Sequence, residues 1–590
     1  MKTLLAVTAL TLTLPLSAQQ PEIPEGYWPE SKSAAILEKT ETIRLAPDLS
    51  RLSAEEQAAV KELLEAGILI QRLYEQQRHP DALKAFEELR RLDARAGSPP
   101  RTKNLRELYR LFQGPIATTL DNKREAFLPV SAETPGKNVY PSDLTKAELD
   151  AFLAKNPAMR DRILAPRTVV RRETKSNLAN DINPMTAFPV LRYLSSEVYD
   201  HLRSRQLPAD GSGIYAVPYS ITHADQTIDI FIRLTNAAAR VESQDSELAR
   251  YLRNRARDFL SNDYESGDAS WITGRFKRLN AQIGAYETYD DALYGVKAFY
   301  GMSVLIENEK ATAELRKALT GLQAIEDALP YDAHKRVRED IPIGVYEVIA
   351  DFGQARGTNT ATILPNDALF SRRYGRRIML RENIMTHPNI VAANERVWRA
   401  ATADAHAKEL GPEGNVHRTL WHEIGHYLGA DRTKDGRELD VALESYADAL
   451  EEMKSDLVSL FALQRMNHPS LRAIQASGIR RTLQNVKPRP DQPYQTMQLI
   501  QFNWFLDKGL LSADPKTARL SIHYDRYPEA VNSLLKEVLK LQHDGDKAAA
   551  AAFFERWTTW TPEVHDKLAA RIREAEGARW RLVRYAALGE

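Results

Sequence analysis

Apolar positions recur at helical spacing along much of the chain. Residues 50–115 carry good helix formers with a three-to-four-residue period, as in Glu55-Glu56-Gln57-Ala58-Ala59-Val60-Lys61-Glu62-Leu63-Leu64, and predict a helical N-terminal region over about 19–160. From about 165 to 235 the texture changes to shorter β-branched and aromatic runs, Ile214 to Tyr219 and Ile228 to Ile232, among helical stretches. Such runs predict mixed α/β structure. Residues 338–385 read as strands and loops, with turn-rich Gly353 to Asn359 and Pro365-Asn366-Asp367. From about 390 onward nearly everything reads as helix, including the Ala-rich stretch Lys547 to Trp557. The pattern therefore predicts a predominantly helical α+β chain, mixed over 161–385 and helical over 386–590. No internal repeat shows.

The first residues depart from this pattern. Met1-Lys2-Thr3 precedes an apolar run from Leu4 to Leu16 and then Ser17-Ala18. That run falls short of the roughly 20 residues that span a bilayer, and small residues follow it, so it reads as a secretory signal peptide cut after Ala18. Stable membrane insertion is not expected, and a periplasmic or secreted protein is. The chain contains no cysteine, so no disulfide and no thiolate ligand is available, and any metal must be held by His, Asp or Glu. Lysine and arginine number 80, balanced by 80 aspartate and glutamate in 590 residues. That balance argues against a nucleic acid partner, which requires clustered positive potential. Nothing in the sequence sets the oligomeric state.

Candidate chemistry is concentrated in Trp421-His422-Glu423-Ile424-Gly425-His426, an HExxH motif. Residues four apart share a helix face, so His422 and His426 can aim two imidazoles at one ion while Glu423 reaches water bound to it. Zinc fits such a site. Held by three protein ligands, it leaves a fourth position for water and lowers that water's pKa to about 7. Composition alone would produce this pattern in roughly 2% of such chains, so the third ligand matters. His417, five residues before His422, reads as structural.

The next predicted helix, from Leu443 to Phe461, offers that ligand. Tyr446, Leu450, Met453, Leu457, Leu460 and Phe461 form its apolar stripe, and two Glu-x-x-x-Asp pairs flank it: Glu444 with Asp448, and Glu452 with Asp456. One acid of a pair could bind the metal while the other orients a histidine through its second ring nitrogen. Glu444 and Glu452 stand about 80° of helical rotation and two turns apart, so only one of them can point at the ion. Spacing does not choose between them.

The segment Leu450-Glu451-Glu452-Met453-Lys454-Ser455-Asp456 resembles the second motif of the dipeptidyl peptidase III family of zinc metallopeptidases, a Glu-Glu pair followed by three residues and another acid. The resemblance implies Glu452 as the zinc ligand, with Glu451 and Asp456 as the supporting carboxylates. Ser261 to Tyr264 and Ile283 to Asp291 are similar to the family's cleft-lining segment, and Gly357 to Asp367 to the loop whose asparagines hold the peptide backbone. Similarity extends over about 255–560. It implies two lobes about a cleft, one helical and zinc-bearing, the other mixed with a β core and substrate-binding.

Three positions depart from the family pattern. Its best-known members space the histidines one residue wider, and the ordinary spacing here marks a bacterial branch. Tyr494 stands where the family usually places a histidine that stabilises the transition state, and Gln282 where it usually has a tyrosine.

The expected roles follow from the motif and the resemblance. His422, His426 and Glu452 hold one Zn2+, Glu423 is the general base, and Tyr494 and His523 are candidate oxyanion donors. Asn359 and Asn366 are expected to bind an oligopeptide backbone, with Glu287 and Tyr289 near its ammonium group. The basic run from Arg372 to Arg377 could receive a peptide's C-terminal carboxylate, although such a run is more often solvated surface. The expected activity is release of N-terminal dipeptides. The alternatives are a zinc hydrolase of other specificity (endopeptidase, carboxypeptidase or cell-wall peptide amidase) and a non-catalytic peptide-binding relative.

Overall fold

The structure, a computed structural model, describes residues 23–205, 211–337, 341–364, 370, 373–489 and 492–590. Residues 1–18, read above as a signal peptide, and Asn366 and Arg372 lie outside the described residues. Among the described residues, no helix is long and apolar enough to cross a membrane.

The chain forms two compact units. The smaller comprises residues 23–38 and 79–133, with helices Ala82–Arg95 and Pro100–Phe112 and a hairpin pairing Ile116–Thr118 with Arg124–Ala126. Buried Asp93 ties its two long helices together, accepting hydrogen bonds from Thr102 Oγ1 and Arg106 Nη1, each at 2.6 Å.

The larger unit, Lys39–Arg78 with Thr134–Glu590, contains all the candidate chemistry. Its sheet has five strands: β1 (Leu279–Ala285), β2 (Tyr300–Glu307), β3 (Ile343–Gly353), β4 (Ala361–Leu364) and β5 (Arg377–Arg381), in the order β1-β2-β3-β5-β4. Pairing is antiparallel except between β3 and β5. Strand β3 is buried at ten of its eleven positions, as befits a sheet covered on both faces, with only Glu347 and Asp351 interrupting its apolar run. The helix Ala54–Arg78 crosses this sheet closely at Gly67, where a Cβ would lie 2.2 Å from the Phe352 ring. Only glycine permits that approach.

One hydrophobic cluster surrounds the sheet. A second fills the helical region after 390, where Trp421, Ile424, Leu450, Met453 and Leu457 are buried together. Two features of the fold differ from the sequence pattern. The run Ile228 to Ile232 lies inside the helix Ala224–Val241, because Thr227, Ile230, Leu234, Ala238 and Val241 are buried at helical spacing. Packing along a long helix overrides the local β-preference of five residues. The strands Thr40–Leu45 and Trp580–Tyr585 pair in parallel, which neither segment signals alone.

Candidate active site

The HExxH segment occupies the C-terminal end of the helix Pro412–Gly425, anchored in the core by Leu420, Trp421 and Ile424. The regular helix ends at Gly425, yet His426 keeps helical backbone angles, φ −64° and ψ −20°. The two imidazoles therefore stay on one face, with ring centroids 5.0 Å apart.

Opposite them runs the helix Ala447–Arg465, which begins later than the sequence pattern suggested. Glu444 has φ 50° and heads a separate short turn, Glu444–Tyr446. Its carboxylate is exposed and accepts from Lys547 Nζ at 2.7 Å. A backbone break, rather than helical rotation alone, removes Glu444 from the histidines. Glu452 faces them: its Oε2 lies 3.2 Å from His422 Nε2 and its Oε1 3.9 Å from His426 Nε2.

This trio is the one group among the described residues whose side chains could hold a metal ion, with donor atoms all within 4.8 Å of one another. Ligands about 2.1 Å from a tetrahedral ion stand roughly 3.4 Å apart, close to the spacing of these atoms. Glu452 Oε2 is buried, with His422 Nε2 beside it at 3.2 Å. A buried carboxylate facing two imidazole nitrogens needs a positive charge between them, and a shared cation would supply it. The donor set therefore fits zinc.

Each imidazole is held from behind. His422 Nδ1 lies 2.8 Å from Asp456 Oδ1, and His426 Nδ1 lies 2.9 Å from Glu451 Oε1. With Nδ1–H donated to these carboxylates, both Nε2 atoms are directed toward Glu452 and become free to bind a metal once deprotonated. Arg481 Nε donates to both Asp456 oxygens at 2.9 and 2.7 Å, and Arg418 Nη1 donates to Oδ1 at 3.2 Å. Gln542 Nε2 and Lys454 Nζ hold Glu451, at 3.0 and 2.7 Å. Arg418 lies one turn before His422, and that spacing could have revealed it. Arg481 and Gln542 come from helices distant in sequence and carry no local signal.

These charges act on one another. Burial raises the cost of the Asp456 and Glu451 carboxylates, yet the neighbouring cations win and hold both well below the usual carboxylate range. Burial likewise opposes the His422 imidazolium, but Asp456 and Glu452 outweigh it and push His422 up to about 9. In the metal-free protein this group's contribution to stability is complete below its unfolded pKa of about 6.5 and is lost as pH rises through about 9. Thermal unfolding of chelated protein should therefore weaken progressively over that window. Metal uptake at pH 7 should release a proton, measurable as a buffer-dependent binding heat. A chelated protein equally stable at pH 6.5 and 9, with no proton release, would contradict the coupling.

Gly425 sets the approach of the two helices. A Cβ there would lie 2.8 Å from the Ser455 Cα and carbonyl oxygen. Gly425→Ala should cost about 1–3 kcal/mol of stability through overpacking and should weaken metal retention. Thermal melts with metal analysis would show it, and wild-type values in both would argue that the contact is dispensable.

The trio opens into a cleft of about 1020 Å³. His422, Glu423, His426, Glu452 and Tyr494 line one wall, and Gln282, Glu287, Tyr289, Asn359 and Arg376 the other. Tyr494 OH donates to Glu452 Oε1 at 3.1 Å. Burial and the Glu452 charge raise the phenol well above its ordinary range, so it stays protonated. His523 is placed differently: it is exposed beside the hairpin Leu511–Ala513/Leu520–Ile522, lies 3.0 Å from Ser512 Oγ, and does not line the cleft. His417 packs against His468, with ring centroids 4.2 Å apart and the planes tilted. Of the basic run, Arg373 pairs with Glu265 and Arg377 donates to backbone carbonyls, leaving Arg376 at the cleft.

Among solved structures, dipeptidyl peptidase III from Caldithrix abyssi superposes with a TM-score of 0.79 at 22% identity, covering 94% of this chain and 99% of that one. The chain has the dipeptidyl peptidase III fold. Dipeptidyl peptidase III from Corallococcus sp. strain EGB superposes with a TM-score of 0.73, also at 22% identity, covering 95% of this chain and 98% of that one. No family model matches the chain. Nudix hydrolase 3 of Arabidopsis thaliana is 27% identical over 458 residues, 74% of this chain but 56% of that protein, so the chain spans little more than half of that relative's length. Within the dipeptidyl peptidase III fold, the larger unit presents its cleft between sheet and helices.

Proposed function

We propose that this chain is a member of the dipeptidyl peptidase III family and a zinc-dependent peptidase that releases dipeptides from the N-terminus of oligopeptides. The observation that carries the reading is the buried Glu452 carboxylate facing the Nε2 atoms of His422 and His426, at 3.2 and 3.9 Å. A zinc ion held by these three residues would supply an acidified water and polarise a carbonyl. Glu423 accepts the water's proton and passes it to the leaving amine. Tyr494, protonated and exposed on one side of Glu452, donates a hydrogen bond to the developing oxyanion. Asn359 and Gln282 on the facing wall offer hydrogen bonds to an extended peptide backbone. Glu287, on the same wall, receives the substrate ammonium. Asn366 completes the backbone contacts by resemblance. Export to the periplasm or beyond rests on residues 1–18.

Mass spectrometry of products from matched free and N-acetylated peptides tests the specificity. Cleavage after the second residue of free peptides, with acetylated ones spared and a chelator abolishing the cleavage, is expected. Internal cuts that ignore acetylation would point to an endopeptidase instead.

A further inference from the structure

Behind the wall that holds Asp456 lies a second cavity of about 270 Å³, enclosed by the helices Pro388–Ala401, Pro412–Gly425 and Leu471–Thr482. Three arginines line it: Arg418, Arg480 and Arg481. Two of them also form the back of the active-site cleft.

Their charges are incompletely answered. Asp456 serves Arg418 and Arg481. Glu395, which lines the same cavity, is already paired with Arg399 at 2.8 Å. Arg480 has no carboxylate within ion-pair distance among the described residues, Glu576 acting on it only from farther off, and its one side-chain hydrogen bond is a long one, 3.4 Å from Nη2 to Asn394 Oδ1. The Nε atoms of Arg480 and Arg418 are both buried without a partner. Burial pushes both guanidinium groups down to about 10, still fully cationic at neutral pH. Guanidinium N–H groups enclosed without an acceptor are costly, whereas their fork geometry suits an oxyanion. Ser477 and Asn394 add neutral polar groups to the lining.

We propose that this cavity binds a small oxyanion, phosphate or carboxylate, through Arg480 together with Arg418 and Arg481. The site is separate from the peptidase reading and does not depend on it. An anion here competes with Asp456 for two guanidinium groups, and so communicates with the residue that orients His422.

Isothermal titration of the full chain with inorganic phosphate, and in parallel with acetate, tests this at constant ionic strength set by chloride. Both metal-loaded and chelated protein are needed, because a phosphate bound to the metal would vanish with the chelator. Saturable binding of one anion per chain in both forms is expected, and the tighter of the two ligands identifies the class. Arg480→Gln removes the cation that lacks an ion-pair partner, and Asn394→Asp supplies an internal carboxylate beside it. Each should weaken binding about tenfold or more, the loss of one charge-assisted contact. Asn394→Asp leaves the arginines in place should Arg480→Gln fail to fold. Binding that chloride matches, that needs the metal, or that survives in Asn394→Asp would overturn the proposal.

Discussion

Glu423→Gln should lose at least about 100-fold in kcat while keeping its metal, its melting temperature and its KM. General acid-base catalysis is worth about 10²- to 10⁴-fold, and glutamine preserves shape without the ability to take a proton. Glu423 lines the cleft between the two histidines in sequence, and among the described residues no hydrogen bond or ion pair to its carboxylate competes for that task. A metal-replete variant hydrolysing peptides at the wild-type rate would remove it from the reaction.

The second large effect separates two glutamates that spacing left equivalent. Glu452→Ala should reduce bound zinc from one per chain to nearly none after dialysis, and activity with it, because two imidazoles alone are an incomplete site. Glu444→Ala should retain full metal content. Its carboxylate is exposed and its contact with Lys547 is a surface ion pair, a kind that contributes little. Metal loss in Glu444→Ala alone would reverse the assignment.

The sequence makes the reacting centre more legible than its support. His422 and His426 are recognisable because four residues bring side chains to one helix face. Glu452 and Asp456 share that spacing, so the carboxylate at the ion and the one behind the imidazole can be read together. Glu444 has the same local signature, and only the backbone break at φ 50° disqualifies it. Arg481, Gln501 and Gln542 reach the site from other helices, with Gln501 Nε2 3.4 Å from Asp456 Oδ2. Such contacts depend on tertiary packing and leave no periodic trace. The same holds for Gly425, whose role appears only once Ser455 is seen against it. The run Ile228 to Ile232 shows the converse, a strong local preference that a long amphipathic helix absorbs.

Crystals of the zinc-loaded protein, measured on both sides of the zinc absorption edge, test the central claim most directly. The account predicts one anomalous peak per chain, about 2.1 Å from His422 Nε2, His426 Nε2 and a Glu452 oxygen. A peak elsewhere, or a zinc-loaded structure in which the Glu452 carboxylate turns away from both imidazoles, would contradict it.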